Sequence, residues 1–316
     1  MKILDVTLRD GGFVNDFNWE MSAARKHISV MNNIGVHILE LGYWKQTSKS
    51  QNPFYNLNED VMEQLEVSIN DNVQYCTIVD FHYCSKNPSD YPKSGDTAMR
   101  MVRITSRKED FFDAVEFAKI LKKENGLKVS FQIINSTNYS AQEMLKVCQV
   151  LIEANVDIVG FADSHGNLNL YKDFKIYHES INLLNDAAID WGFHLHNHTG
   201  RAVSNYWYLL EHTECKIMDA SVNGIGKGLG NLRLEDIIRN EDLPKLLKYM
   251  AIDAVKEMSI DIRSAYNRLT GRWNVTDNYT KLAMLKNIDI EDFPLLLRQI
   301  ENSDKDSYNP NILDLI

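Results

Sequence analysis

Residues 2–12 read KILDVTLRDGG. The run from Lys2 to Leu8 has the length and β-branched content of a buried strand, and it breaks into Arg9, Asp10 and a glycine pair. A strand over 2–8 places an arginine and an aspartate where the chain leaves the sheet, which is where several α/β folds keep their chemistry. An exposed ion pair beside a glycine turn has the same spelling. The rest of the chain has to separate the two.

Outward from this stretch, similar runs recur at about the length of a βα unit. They are residues 36–42, 73–80, 101–106, 127–134, 156–163, 192–197 and 216–222. Amphipathic segments lie between them. Trp19–Ile34 is closed by Gly35, Glu109–Glu124 by Gly126, and Ser140 with Glu143 spells a capping box ahead of MLKVCQVLIEA. Strands that read apolar nearly throughout and alternate with helices indicate a parallel sheet covered on its outer side. The count fits a closed (β/α)8 TIM barrel over residues 1–250. From 251 to 316 the strand pattern stops, and a C-terminal helical extension is expected. Residues 44–58, WKQTSKSQNPFYNLN, form a long polar loop after the second strand.

The composition, 44% hydrophobic and 25% charged, is that of a globular protein able to bury a large core. A net charge of −10 with no basic block argues against nucleic-acid or anionic-membrane binding. No stretch approaches the length of a membrane span, and the N-terminus lacks a leader pattern, so a cytoplasmic location is expected. Four cysteines without a CxxC pair read as reduced thiols.

A barrel collects functional side chains at the carboxyl ends of its strands. Those ends supply Arg9, Asp10, Glu40, Tyr43, Asp80, His82, Arg103, Arg107, Gln132, Asn135, Asp163, His165, His194, His196, Asn197, Asp219 and Asn223. His194 and His196 are i and i+2 on a strand and face one side, with Leu195 behind them. Two imidazoles and a carboxylate, for which Asp10 is preferred, suit a divalent metal. The alternative is a pair of satisfied core histidines. GIGKGLGN, 224–231, brings backbone near a ligand at Gly226 and Gly228 and opens a helix at LRLEDII, so it is a carboxylate or phosphate site or else a tight turn.

TLRDGG, GFHLHNHTGRAVSN and DASVNGIGKGLGNLRLEDI together resemble the metal-dependent aldolase and Claisen-condensing barrel superfamily (hydroxymethylglutaryl-CoA lyase-like). Within it, DASVNGIGKGLGN is most similar to the DxSxxGxGxGxGN of 4-hydroxy-2-oxovalerate aldolase-like proteins. Residues 268–287 also resemble a segment of aldolase-like proteins often associated with sugar pathways, with Thr276 and Asp277 in place of its His-Pro. The resemblance implies that Asp10, His194 and His196 ligate Mn2+, Mg2+ or Co2+, with Asn231 close to the same ion. It implies that Arg9 stabilises an enolate and that Glu40 supports Arg9. Arg103 is taken as substrate-binding.

The pattern departs at Phe13, where the aldolases carry a proton-transferring histidine. His82, Tyr43, His165 and His198 are the candidates to replace it. The lyase cysteine ahead of the closing asparagine and the synthase glutamate after RDG are also missing, which lowers the acyl-CoA readings. The leading expectation is a metal-dependent aldolase joining or splitting a 2-oxoacid such as pyruvate and an aldehyde, for which the resemblance at 268–287 implies a sugar-derived fragment. An acetyl-CoA-dependent synthase and a non-catalytic partner subunit are the rivals. A homodimer and a partner dehydrogenase are the expected associations.

Overall fold

The computed structural model describes residues 1–45, 52–300 and Lys305. Residues 46–51 of the long polar loop lie outside the described residues. The strands are β1 Lys2–Asp5, β2 Ile38–Tyr43, β3 Gln74–Asp80, β4 Met99–Thr105, β5 Lys128–Ile133, β6 Ile158–Asp163, β7 Asp190–Leu195 and β8 Ile217–Ala220. Every neighbouring pair is parallel, and β8 pairs with β1 to close a barrel in sequence order. The expected (β/α)8 TIM barrel is therefore present. Helices Ile262–Arg272, Asn278–Leu285 and Phe293–Leu297 form the C-terminal extension. Compact packing divides the chain into Met1–Asn32 with Val36–Asp236, and Asn33–Gly35 with the residues from Ile237 onward.

The first strand is shorter than its composition suggests. Asp5 ends it, and its carboxylate accepts hydrogen bonds from the Thr7 backbone N–H (3.0 Å) and the Thr7 hydroxyl. That local bonding competes with strand pairing and turns Thr7–Asp10 into one helical turn. His27, from helix Met21–Met31, sits against the other Asp5 oxygen at 2.5 Å, and both residues are fully buried. Arg9 and Asp10 thus project from a braced turn and not from a strand end. The helix expected after the glycine loop is likewise only one turn, Leu234–Ile237. The capping box at Ser140 and Glu143 forms as its spacing predicts.

Strand periodicity stacks the barrel interior in layers. Leu4, Ile38, Cys76, Met101, Ile158 and Ile217 make a buried apolar floor. Two residues along their strands, Ile38 gives way to Glu40, Met101 to Arg103, and Ile217 to Asp219, all buried. Gln132 joins this charged layer, and Gly160 makes room for it: a Cβ there would lie 2.0 Å from Gln132 Oε1. Above it the barrel opens.

Candidate active site

The charged layer is bonded into a chain across the barrel. Arg9 Nε donates to Glu40 Oε2 at 2.5 Å, and Arg9 Nη1 donates to Asp10 Oδ1 at 2.5 Å. Arg103 Nη1 donates to the other Glu40 oxygen at 3.0 Å. Arg103 Nη2 donates to Asp219 Oδ2 at 2.6 Å and to Gln132 Oε1 at 2.9 Å. Asp219 Oδ2 also lies 3.0 Å from His194 Nδ1. Burial works against the charge on Arg9, but Glu40 and then Asp10 outweigh it and hold the guanidinium firmly protonated. Burial likewise opposes ionisation of Asp10, and Arg9 followed by His194 and His196 brings its carboxyl well below the usual range. Asp219 is lowered too, chiefly by Arg103 against its own desolvation.

Asp10, His194 and His196 converge, with one ligand atom from each within 4.8 Å of the others. Asp219 is an ionised acceptor, so His194 Nδ1 is the donor between them, and Nε2 points toward His196. His196 Nε2 faces it at 3.2 Å. Burial first, and His194 next, push His196 down to about 3, so its imidazole is neutral near pH 7. Asn231 donates through Nδ2 to Asp10 Oδ2 at 2.7 Å and to the Ile225 carbonyl at 3.1 Å. Its buried Oδ1, like His196 Nδ1, has no hydrogen-bond partner among the described residues. An unsatisfied amide oxygen beside a carboxylate and two imidazoles is a donor set that fits a divalent cation.

Gly226 permits this arrangement, because a Cβ there would fall 2.2 Å from Asn231 Nδ2 and 2.5 Å from Asp10 Oδ2. Gly228, at φ +68°, lies against His198. Neither glycine lines the open cavity; Lys227 between them does. The signal missed in the sequence was this lysine among the glycines.

The cavity above the cluster has a volume of about 390 Å³. Arg9, Asp10, Arg103, His194 and His196 line it, and Arg103 Nε has no hydrogen-bond partner among the described residues. Phe13 and Tyr43 line it as well, with rings 6.4 Å apart, and the Lys227 ammonium lies 5.7 Å from the Phe13 ring centre. Phe13 therefore builds an aromatic wall where the aldolases have their histidine. Burial raises the Tyr43 phenol against the pull of Arg9. Asp80, Thr105, Ser106, Arg107 and Asn135 add polar groups to the same lining. His82 is not brought in: it is exposed, with Nδ1 3.1 Å from Asp110 Oδ2. His165 and His198 are also outside the lining.

The family model described as HMGL-like matches residues 92–259, more than half of the chain. The chain belongs to the HMGL-like family. Among HMGL-like relatives, 2-isopropylmalate synthase of Sulfurisphaera tokodaii is 22% identical over 79% of this chain and 63% of the synthase. 4-Hydroxy-2-oxovalerate aldolase of Geobacillus genomosp. 3 is 24% identical over 75% of this chain and 69% of the aldolase. The chain spans 53–64% of the length of the 2-isopropylmalate synthases it matches. Hydroxymethylglutaryl-CoA lyase from Pseudomonas aeruginosa shares the fold, with a TM-score of 0.59 at 14% identity, covering 90% of this chain and 97% of the lyase. The curated relatives thus include a synthase and an aldolase. Among the described residues, no helix is long and apolar enough to cross a membrane.

Proposed function

We propose that this HMGL-like protein is a divalent-metal-dependent carbon–carbon lyase that works through the enolate of pyruvate or a related 2-oxoacid. The observation that carries the reading is the convergence of Asp10, His194 and His196 beside the buried Arg9 guanidinium, all facing one cavity. Asp10, His194 and His196 would hold Mn2+, Mg2+ or Co2+, with Asn231 Oδ1 available as a further donor. When bound, such a cation supplies Lewis acidity toward a carboxylate and its neighbouring ketone. Arg9 stays cationic and offers its planar fork to the negative charge that develops on the enolate oxygen. Glu40 grips Arg9 Nε and fixes the fork against the site. The polar groups of Thr105, Ser106 and Asn135 favour a hydroxylated aldehyde as the second reactant.

Proton NMR of pyruvate in deuterated buffer with the magnesium-loaded protein tests this reading. Exchange of the methyl protons is expected, and Arg9→Ala should abolish it. Absence of exchange in the unsubstituted protein would turn weight to the second reading, an acetyl-CoA-dependent synthase. The similarity to 2-isopropylmalate synthases favours that alternative. Release of free thiol from acetyl-CoA in the presence of a 2-oxoacid would then be its signature.

A further inference from the structure

An aldolase of the proposed kind needs a group to take the proton from the hydroxyl of the bond being split, and the histidine expected for it is replaced by Phe13. Among the described residues lining the cavity, the carboxylates are Asp10 and Asp80. Asp10 is committed to Arg9, Asn231 and the metal position. Asp80 ends β3, where its Oδ1 accepts the His82 backbone N–H at 3.1 Å and its Oδ2 has no partner among the described residues. Among the described residues, the imidazoles in the lining are His194 and His196.

We propose that Asp80 is the general base for the hydroxyl of a 4-hydroxy-2-oxoacid, an assignment that rests on the enolate reading above. Tyr43 ties the position to the chemistry, since its phenol feels both Arg9 and Asp80. Burial raises the Asp80 carboxyl, with the His82 backbone N–H, Arg107, His82 and Lys86 pulling in the opposite direction. A carboxylate raised in this way is a better base than an exposed one. Asp80 Oδ2 takes the proton from the oxygen on C4, and that O–H electron pair becomes the new carbonyl bond. The C3–C4 bond breaks, its electron pair becomes the C2–C3 double bond, and the C2 carbonyl pair moves onto oxygen as the enolate that faces Arg9. The proton then returns to C3, directly or through water, which restores the carboxylate and leaves pyruvate beside the free aldehyde.

Oxaloacetate provides the control, because its decarboxylation generates the same enolate with no hydroxyl to deprotonate. The experiment compares the manganese-loaded full chain with Asp80→Asn on oxaloacetate and on 4-hydroxy-2-oxovalerate. Asparagine keeps the oxygen that the His82 N–H requires, so the turn is preserved. Asp80→Asn is expected to decarboxylate oxaloacetate within about threefold of the parent and to cleave 4-hydroxy-2-oxovalerate roughly 100-fold more slowly or worse. Cleavage within about threefold of the parent would overturn the assignment. So would equal loss of both reactions, which would place Asp80 in enolate formation or in folding. A parent that decarboxylates but does not cleave removes the hydroxyl step and the proposed base with it. If the parent does neither, the enolate reading itself fails.

Discussion

At the residue scale, the two halves of the site separate experimentally. His196 meets the metal position directly, whereas Arg9 reaches it only through Asp10. His196→Ala should therefore lose manganese and activity together, while Arg9→Ala should keep manganese and lose turnover, with electron paramagnetic resonance reading the bound ion. An active, metal-free His196→Ala would remove the cluster from the mechanism. Arg103 behaves differently again, because its two Nη atoms are spent on Glu40, Asp219 and Gln132 inside the protein. Arg103→Met leaves two buried carboxylates each short of a partner, and a loss of about 3–5 kcal/mol is expected in urea denaturation. The pairing of His194 with His196 was legible because it is local: β7 ends at Leu195, and His196, in an isolated bridge with Asn231, carries the two-residue repeat one residue past the strand. The bond from Arg103 to Asp219 was not, since it joins positions far apart in sequence and exists only once β8 has closed the barrel.

At the scale of elements, β3 and β6 end at Asp80 and Asp163, as their apolar runs suggest. β1 and β8 do not reach the ends their runs suggest. A charged residue inside KILDVTL was the available sign, because a buried carboxylate has to find donors and Asp5 finds them in the Thr7 backbone and hydroxyl and in His27. Composition alone does not say whether such donors are local. The loop from Gly224 to Asn231 read equally well as a ligand site or as a turn, and the structure uses it to bring Asn231 and the Lys227 backbone N–H to Asp10. Gly226→Ala should force that loop off Asp10 and weaken manganese binding by about 10-fold or more, with little change in circular dichroism. Unaltered affinity would show that the loop can shift without cost to the cluster.

At the scale of the whole molecule, the buried site makes stability depend on acid and on metal. Burial and His194 bring His196 from an ordinary 6.5 to about 3, so the unfolded chain takes up a proton that the folded chain refuses. The metal-free protein should accordingly lose stability as pH falls from about 6.5 toward 3. Asp10, depressed from its ordinary 3.8, adds to the loss below that value. Urea midpoints at pH 7 and pH 5 check the sign, and a higher midpoint at pH 5 would contradict it. Manganese at about 100 times its Kd should add roughly 2.7 kcal/mol, a Tm rise of about 4 °C. The layering of the barrel interior also bears on how such a protein acquires new reactants. Phe13 and Arg107 line the cavity, and among the described residues neither is bonded to Glu40, Arg103 or Asp219. Libraries randomised at those two positions can therefore be selected for new aldehydes with the enolate machinery unchanged, whereas variation at Glu40 or Arg103 is screened first by whether the chain folds.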